Sequence, residues 1–178
     1  EELVRNQDDE FNFRIIQNNG RIWLDPSVKS SYYPRNSIKK LFKQYFQYGF
    51  YKVRVIQKRG GFTSWRHLIP GTFVLSLLLS LLLLPRAYSP FFIIMGSYVI
   101  ANVYASFISL IRSKNTLNNL FSYKLFLLPI TFFIIHFSYG LGFLFGLVKF
   151  WNKWKDQTTK DHHFNREEYV NKTTENYK

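Results

Sequence analysis

The sequence predicts a mainly α-helical membrane protein. From Leu68 to Phe150 almost every residue is apolar, small or aromatic, and only five residues in this stretch carry a charge. The stretch contains three apolar runs, at 69 to 85, 90 to 111 and 125 to 148. A helix needs roughly 20 apolar residues to cross a hydrocarbon core about 30 Å thick. We therefore expect about three transmembrane helices, preceded by a polar and basic N-terminal zone.

The net charge and the composition limit which partners the protein is expected to bind and which reactions its side chains can support. The formal net charge is +13, and no cysteine is present. In a soluble protein such a charge would suggest nucleic acid, but beside membrane helices it indicates basic flanks that meet anionic lipid headgroups. Membrane lipids are therefore the expected partner, and nucleic acid is not. The absence of cysteine excludes disulfides and thiolate catalysis. We expect no secretory signal peptide, because the N-terminus is polar and acidic.

The N-terminal zone begins with an acidic helix. Apolar residues of the segment 8 to 18 recur at helical spacing, and Asp8, Asp9 and Glu10 stand at its start, where acids suit the positive end of a helix dipole. Asn19-Gly20 is a stop signal. RIWLDP (21 to 26) and SVKSSYYP (27 to 34) then predict short strands or extended segments, each closed by a proline.

The segment 36 to 66 is predicted to be amphipathic and to lie along the membrane surface. Its apolar side comprises Ile38, Leu41, Phe42, Tyr45 and Phe46, and its basic side comprises Lys39, Lys40, Lys43 and Lys52. The transmembrane helices follow at 67 to 150, and a polar tail occupies 151 to 178.

Charge bias orients the helices. Basic residues accumulate before the first apolar run, so the N-terminal zone is predicted to be cytoplasmic and the Pro85-Arg86 turn to face outward. A third full crossing would leave the lysine-containing tail outside, which the charge rule disfavours. Either the tail is an exception, or the third run, interrupted by Pro129 and by glycines, does not cross simply.

Five stretches carry a family resemblance. In order they are QDDEFNFR, GRIWLDP, YYPRNSIKKLFKQYFQYGF, RHLIP and HFSYGLGFLFGL. Between about residue 4 and residue 150 the chain resembles the C-terminal half of membrane-associated family-2 glycosyltransferases of the succinoglycan-biosynthesis type. The resemblance implies an α/β nucleotide-sugar-binding domain of the GT-A type, of which residues 1 to 35 would be the C-terminal end.

The resemblance also assigns catalytic roles. Family members carry Glu-Asp-x-Asp/Glu-Leu-x-x-Arg at a helix start near the acceptor, and the Asp of the Glu-Asp pair is the proposed general base. Spacing to Arg14 matches Asp8 to that base and Glu10 to the second, supporting acid, whereas Gln7 replaces the family's Glu. Asp9 is the alternative if the register shifts by one residue. The acceptor hydroxyl is a poor nucleophile until a carboxylate removes its proton.

A second element, QYFQY at 44 to 48, resembles the Gln-x-x-Arg-Trp motif that lines the acceptor channel of processive relatives. Gln44 fits this motif, while Gln47 and Tyr48 replace the Arg and Trp. Transfer of a single sugar is therefore the expected outcome. Trp23 and Tyr48 are candidates for stacking on a sugar ring, and packing alone explains Trp23 equally well.

The resemblance implies an inverting enzyme that moves a sugar from a nucleotide-sugar donor to a lipid-linked or polysaccharide acceptor at the cytoplasmic membrane. The expected Mg²⁺ or Mn²⁺ would be bound by residues that precede this chain, so the fragment alone is expected to be inactive. The alternative is a small non-enzymatic membrane protein that binds anionic lipid or a partner subunit through its basic helix.

At several positions a purely structural role explains the residue as well as a functional role does. Acids at a helix start are common, and Arg14 is predicted to pair with Glu10 four residues earlier. An intramembrane His136 could be functional, but a hydrogen bond from a neutral imidazole to Ser, Tyr or a carbonyl satisfies it equally well. Gly140, Gly142 and Gly146 predict close helix packing or a dimer contact.

Overall fold

The computed structural model describes residues 3–31, 33, 36–61, 64–112 and 123–155. These residues form helices and loops without any strand. The elements in chain order are α1 (Gln7–Gln17), α2 (Ile38–Arg59), a 3₁₀ turn (Trp65–His67), α3 (Ile69–Leu83), α4 (Ser89–Ile111) and α5 (Lys124–Lys149). Most of the predicted polar tail, residues 156 to 178, lies outside the described part of the chain.

The three predicted apolar runs are confirmed as helices long and apolar enough to span a membrane. They cover Trp65–Leu83, Ser89–Ile111 and Leu125–Lys149, with 19, 23 and 25 residues. α3 and α4 are antiparallel neighbours, joined by the short turn at 84 to 88 and by a stacked pair of rings, Phe73 and Tyr98, with centroids 4.3 Å apart. α5 continues without a break through Pro129.

The segment between α1 and α2 departs from one of the two predictions made for it. Its described residues have no regular secondary structure apart from a turn at Pro26-Ser27, and no strand forms. The carboxylate of Asp25 accepts a hydrogen bond from the Ser27 amide at 2.8 Å, which shapes this turn. Trp23 and Leu24 are 90% and 89% exposed. Without a neighbouring strand to pair with or a surface to cover, β-prone residues do not form a sheet.

The core of the molecule is a glycine-lined seam between α2 and α5. A Cβ atom added at Gly49 would collide with the Tyr139 carbonyl oxygen, and one added at Gly142 would collide with that of Phe46. At Gly146 the added Cβ would lie 2.6 Å from the Phe50 carbonyl oxygen. Because these positions lack a side chain, the two helix backbones approach closely. The predicted packing role of the α5 glycines is confirmed within the chain itself.

α3 meets α5 at its first turns. Gly140 lies against the Pro70 carbonyl and the Val74 side chain, and Phe143 lies against Gly71. Phe143 is 3% exposed and belongs to one apolar cluster with Val53 and Ile56 of α2. α2, the start of α3 and the second half of α5 therefore converge on Phe143.

α2 is amphipathic at its solvent-facing start and buried in its second half. Lys39, Lys40 and Lys43 are exposed, as predicted for a basic face. The placement of Lys52 on the same solvated side is wrong, because its side chain is only 11% exposed. Residues 52 to 57 are covered by neighbouring helices, and Lys52 bonds to α1 instead of facing water.

A polar network joins α4 and α5 inside the apolar region. The Tyr98 hydroxyl and His136 Nδ1 are 3.0 Å apart, and Asn102 Nδ2 donates to the Pro129 carbonyl at 3.0 Å. Asn102 also reaches the Tyr98 hydroxyl at 3.4 Å. The hydrogen-bonded explanation of His136 is thus confirmed, since polar groups at membrane depth need such partners.

Candidate functional site

The site is built on α1, whose first turn points three adjacent acids in three directions. Successive residues of an α-helix are about 100° apart around its axis. As a result Asp8, Asp9 and Glu10, although adjacent in the sequence, have different neighbours. Asn6 precedes the helix with a positive φ of 61°, a left-handed conformation that asparagine tolerates.

Asp9 is the acid that attaches α1 to α2. Its carboxylate oxygens lie 2.5 Å from Lys52 Nζ and 2.8 Å from Arg59 Nη2. Arg59 also donates to the Asp9 backbone carbonyl, and its guanidinium lies 4.6 Å from the centroid of the Phe13 ring. Burial by itself would raise the pKa of Asp9, but the hydrogen bonds and charges of Lys52 and Arg59 outweigh it and lower that pKa.

Glu10 is buried and makes the predicted local pair. Arg14 Nε lies 2.9 Å from Glu10 Oε1 and 3.0 Å from Glu10 Oε2. Glu10 is 7% exposed, so the cation compensates for its loss of water. Its place beside Asp8 agrees with the supporting role that the resemblance implies, and that role stays a prediction.

Asp8 is exposed at an open pocket of about 440 Å³. The described residues that line the pocket are Leu3, Gln7, Asp8, Glu10, Phe11, Arg14 and Lys58. Among the described residues, Asp8 takes part in no hydrogen bond or ion pair. Of the three acids, it is the one whose carboxylate has no cation bound to it within the described residues.

The predicted α2 residues lie beside the start of α1. Arg5 Nε donates to Gln47 Oε1 at 3.2 Å, and Asn6 Nδ2 donates to the Tyr48 carbonyl at 3.1 Å. Gln44 Nε2 in turn donates to the Tyr48 hydroxyl at 2.9 Å. The structure therefore brings Gln44, Gln47 and Tyr48 close to the segment that leads into Asp8.

Trp23 is the predicted site residue that the structure does not bring to this cluster. Its ring is 90% exposed and makes no ring contact or hydrogen bond with other described residues. Its role in sugar stacking stays a prediction.

The sequence did not single out Lys52, Arg59 and Lys58 as parts of the site. A signal was present for two of them: Lys52 and Arg59 are seven residues apart, which places them on one face of α2. Their partner could not be read from the sequence, because Asp9 lies 43 and 50 residues away along the chain.

The described residues do not form a divalent-cation site. No group of three His, Cys, Asp or Glu side chains within them could hold a metal ion, and Asp9 and Glu10 are already engaged by cations. The expected Mg²⁺ or Mn²⁺ stays an expectation, and no step below is routed through it.

Comparison with known proteins gives two similar glycosyltransferases. The chain is 30% identical over 148 residues to the dolichyl N-acetyl-alpha-D-glucosaminyl phosphate 3-beta-D-2,3-diacetamido-2,3-dideoxy-beta-D-glucuronosyltransferase of Methanococcus voltae, covering 83% of this chain and 41% of that protein. It is 31% identical over 70 residues to the succinoglycan biosynthesis protein ExoA of Rhizobium meliloti (strain 1021), covering 39% of this chain and 21% of that protein. The chain is similar to family-2 glycosyltransferases.

The resemblance read from the sequence is therefore confirmed, and with it the membrane character of the chain. The chain spans less than half the length of either relative. No protein-family model and no solved structure matches it.

Proposed function

We propose that this chain is the membrane-embedded part of an inverting glycosyltransferase, in which Asp8 is the general base. The observation that carries the proposal is that the three adjacent acids of α1 have different neighbours. Asp9 and Glu10 are neutralised by cations, whereas Asp8 lies at an open pocket to which α2 contributes Lys58. The similarity to glycosyltransferases supplies the reaction class.

In the proposed reaction, Asp8 accepts the proton of an acceptor hydroxyl while that oxygen attacks the anomeric carbon of the donor sugar. The bond to the nucleoside diphosphate breaks on the opposite face, so the configuration at the anomeric carbon inverts. A carboxylate in this role contributes about 10²–10⁴-fold to the rate. Glu10 supports the site through its bond to Arg14, which keeps that guanidinium at the pocket wall.

The acceptor is proposed to be lipid-linked or a growing glycan. The name of the Methanococcus voltae relative specifies a dolichyl-phosphate-linked sugar, which is a lipid-linked acceptor, and that of the Rhizobium meliloti relative specifies succinoglycan, a polysaccharide. The site lies on α1 and on α2, which packs along the apolar helix α5. This position suits an acceptor whose lipid stays in the bilayer. A nucleotide sugar is the proposed donor.

The proposed location is the cytoplasmic membrane, with the N-terminal zone on its cytoplasmic face. Lys39, Lys40 and Lys43 are exposed at the start of α2, and basic residues near membrane helices favour the cytoplasmic side. On that face the site would have access to cytoplasmic nucleotide sugars and to anionic lipid headgroups.

The test is turnover by the complete protein in lipid vesicles. A panel of nucleotide sugars is offered together with a polyprenyl-phosphate-linked sugar, released nucleoside diphosphate is measured, and the product's anomeric configuration is read by NMR. We expect release with one donor and a product of inverted configuration. A product of retained configuration would contradict the mechanism. Absence of turnover with every donor, combined with tight binding to anionic vesicles, would favour the non-enzymatic alternative.

A further inference from the structure

Asp9 connects the proposed catalytic helix to the membrane helices. Lys52 and Arg59, which hold its carboxylate, are 11% and 7% exposed and lie on the half of α2 that packs along α5. Arg59 touches α1 at the Asp9 carboxylate, at the Asp9 carbonyl and at the Phe13 ring. A charge pair that is shielded from water at one end and anchored in a packed helix has a defined geometry.

We propose that Asp9 is a positioning residue: by binding Lys52 and Arg59, it fixes the rotation of α1 so that Asp8 faces the pocket. This rests on the proposed function of Asp8. Because Asp8 and Asp9 are about 100° apart on one helix, holding one carboxylate sets the direction of the other. A rotation of α1 by one residue position would turn Asp8 away from Lys58, the residue that α2 contributes to the pocket wall.

The positioning role is tested without substrate by a distance measurement between spin labels. The chain has no cysteine, so Asn12→Cys on α1 and Lys43→Cys on α2, both exposed, add its two thiols for labelling. In the complete protein, any cysteine outside this chain is first replaced by serine. We expect a narrow distance distribution that broadens with Asp9→Asn and equally with Lys52→Met. Asp25→Asn, which removes an exposed carboxylate on the neighbouring loop, is the control and should leave it narrow. An unchanged distribution in Asp9→Asn would overturn the proposal.

Turnover measurements on variants distinguish a positioning role of Asp9 from a catalytic role. Asp9→Asn should lower kcat about 10-fold with little change in KM, and the Asp9→Asn/Lys52→Met double variant should be no worse than either single variant. Equal loss in both single variants that simply adds in the double variant would show that the two residues act separately. If Asp9→Asn abolished turnover while Asp8→Asn retained it, Asp9 would be the base, and both the positioning role and the proposed role of Asp8 would be wrong.

A different set of contacts determines how α5 lies in the membrane. Its start is next to the second half of α4: Leu125 and Pro129 share an apolar groove with Ser106 and Phe107. Its end is next to the end of α2, since Gln57 Nε2 donates to the Phe150 carbonyl at 2.7 Å and Arg54 Nη1 donates to the Lys153 carbonyl at 3.4 Å. The end of α2 also lies near the start of α3, since Leu68, directly before α3, packs against the cluster that contains Val53 and Ile56 of α2.

These contacts define the membrane face of each end. α3 leaves one face and α4 returns to it, so the end of α4 lies on the face where α3 begins. α5 starts near that end of α4 and finishes near the end of α2, which is also near the beginning of α3. We infer that both ends of α5 lie on one face, and that α5 is embedded obliquely in one leaflet without a full crossing.

Two further observations agree. Gly140 and Phe143, in the last third of α5, touch Pro70 and Gly71 at the first turns of α3. A third crossing parallel to α3 would have carried these residues to the opposite end of α3. Cations also gather at this end of the molecule, at Lys58, Arg59, Arg66, Lys149 and Lys153, and a basic cluster favours a single cytoplasmic face. The described residues after α5, 151 to 155, and the N-terminal zone would then share that face.

Cysteine accessibility tests this topology in the cysteine-free chain. Lys39→Cys, Tyr88→Cys and Lys155→Cys place single thiols in the N-terminal zone, at the α3–α4 turn and after α5, all at exposed positions. The variants are treated in intact cells with a membrane-impermeant maleimide, before and after permeabilisation. We expect Lys155→Cys to react in the same condition as Lys39→Cys and opposite to Tyr88→Cys. Matching reactivity of Lys155→Cys and Tyr88→Cys would establish a third crossing and overturn the inference.

Discussion

Glycines decide how closely α2 and α5 can pack, because each has a hydrogen atom where other residues have a Cβ atom. At Gly142 the space that a methyl group would need is already occupied by the Phe46 carbonyl, and at Gly49 by the Tyr139 carbonyl. The sequence indicated the importance of Gly140, Gly142 and Gly146 through their spacing. The spacing does not indicate which helix each glycine faces. In the structure Gly140 faces α3, whereas Gly142 and Gly146 face α2.

Gly142→Ala should therefore destabilise the protein by about 3 kcal/mol, the upper range for overpacking a well-packed site. Thermal unfolding in detergent should shift down by roughly 5–10 °C. Gly96→Ala is the matched control, since an added Cβ there meets nothing within 4 Å. Alanine in a helix interior should keep or raise stability by up to about 1 kcal/mol. Equal effects of the two substitutions would contradict the packing argument.

The Tyr98 hydroxyl is a second group whose removal should lower the stability of the protein. It lies 3.0 Å from His136 Nδ1 inside the apolar region, so Tyr98→Phe should leave His136 without this partner and cost about 1 kcal/mol. Tyr104→Phe, on the same helix, removes a hydroxyl from a side chain that is 67% exposed and that makes no hydrogen bond within the described residues. Unfolding measurements should detect a loss for the first substitution only.

Among the elements, α1 and α2 show best what the sequence can and cannot determine. The bounds of α1 follow from the acids at its start and the Asn19-Gly20 stop, and the helix indeed ends at Gln17. α2 begins at Ile38, with the Ser37 hydroxyl accepting from the Lys40 amide. The amphipathic pattern gave the exposed face of the first half of α2. It failed at Lys52, because a buried lysine and a solvated one look alike until the opposing carboxylate is known.

The contact between α1 and α2 should depend on acid pH. The pKa of Asp9 is lowered from 3.8 in the folded protein, so the ion pairs stabilise fully above 3.8 and are lost as pH falls through the folded value. Asp9 is about two-fifths exposed, which limits the contribution to about 1–2 kcal/mol. The stability difference between wild type and Asp9→Asn should be constant from pH 7 to about pH 5 and should shrink as the pH falls below 3.8. A difference that did not change with pH in this acid range would rule out the ionised carboxylate as its source.

At the scale of the whole molecule, the hydropathy pattern predicted where the apolar helices lie in the sequence. It did not predict how these helices pack together. The three apolar runs became α3, α4 and α5 almost residue for residue. Hydropathy does not record that α5 lies against both α2 and α3, since that depends on contacts between residues about 70 to 100 positions apart. In the same way, the order of five short motifs revealed the glycosyltransferase resemblance and matched Asp8 to the general base, whereas only the structure shows that Asp9 is paired with Lys52 and Arg59.

The most direct measurement is the turnover of the complete protein with Asp8→Asn, beside wild type and the exposed-loop control Asp25→Asn. Asparagine keeps the size of the side chain and removes its ability to accept the acceptor proton. We predict that kcat falls by about 10²–10⁴-fold in Asp8→Asn, with an unchanged unfolding temperature and a nearly unchanged KM, while Asp25→Asn keeps wild-type turnover. Wild-type turnover in Asp8→Asn would contradict the account.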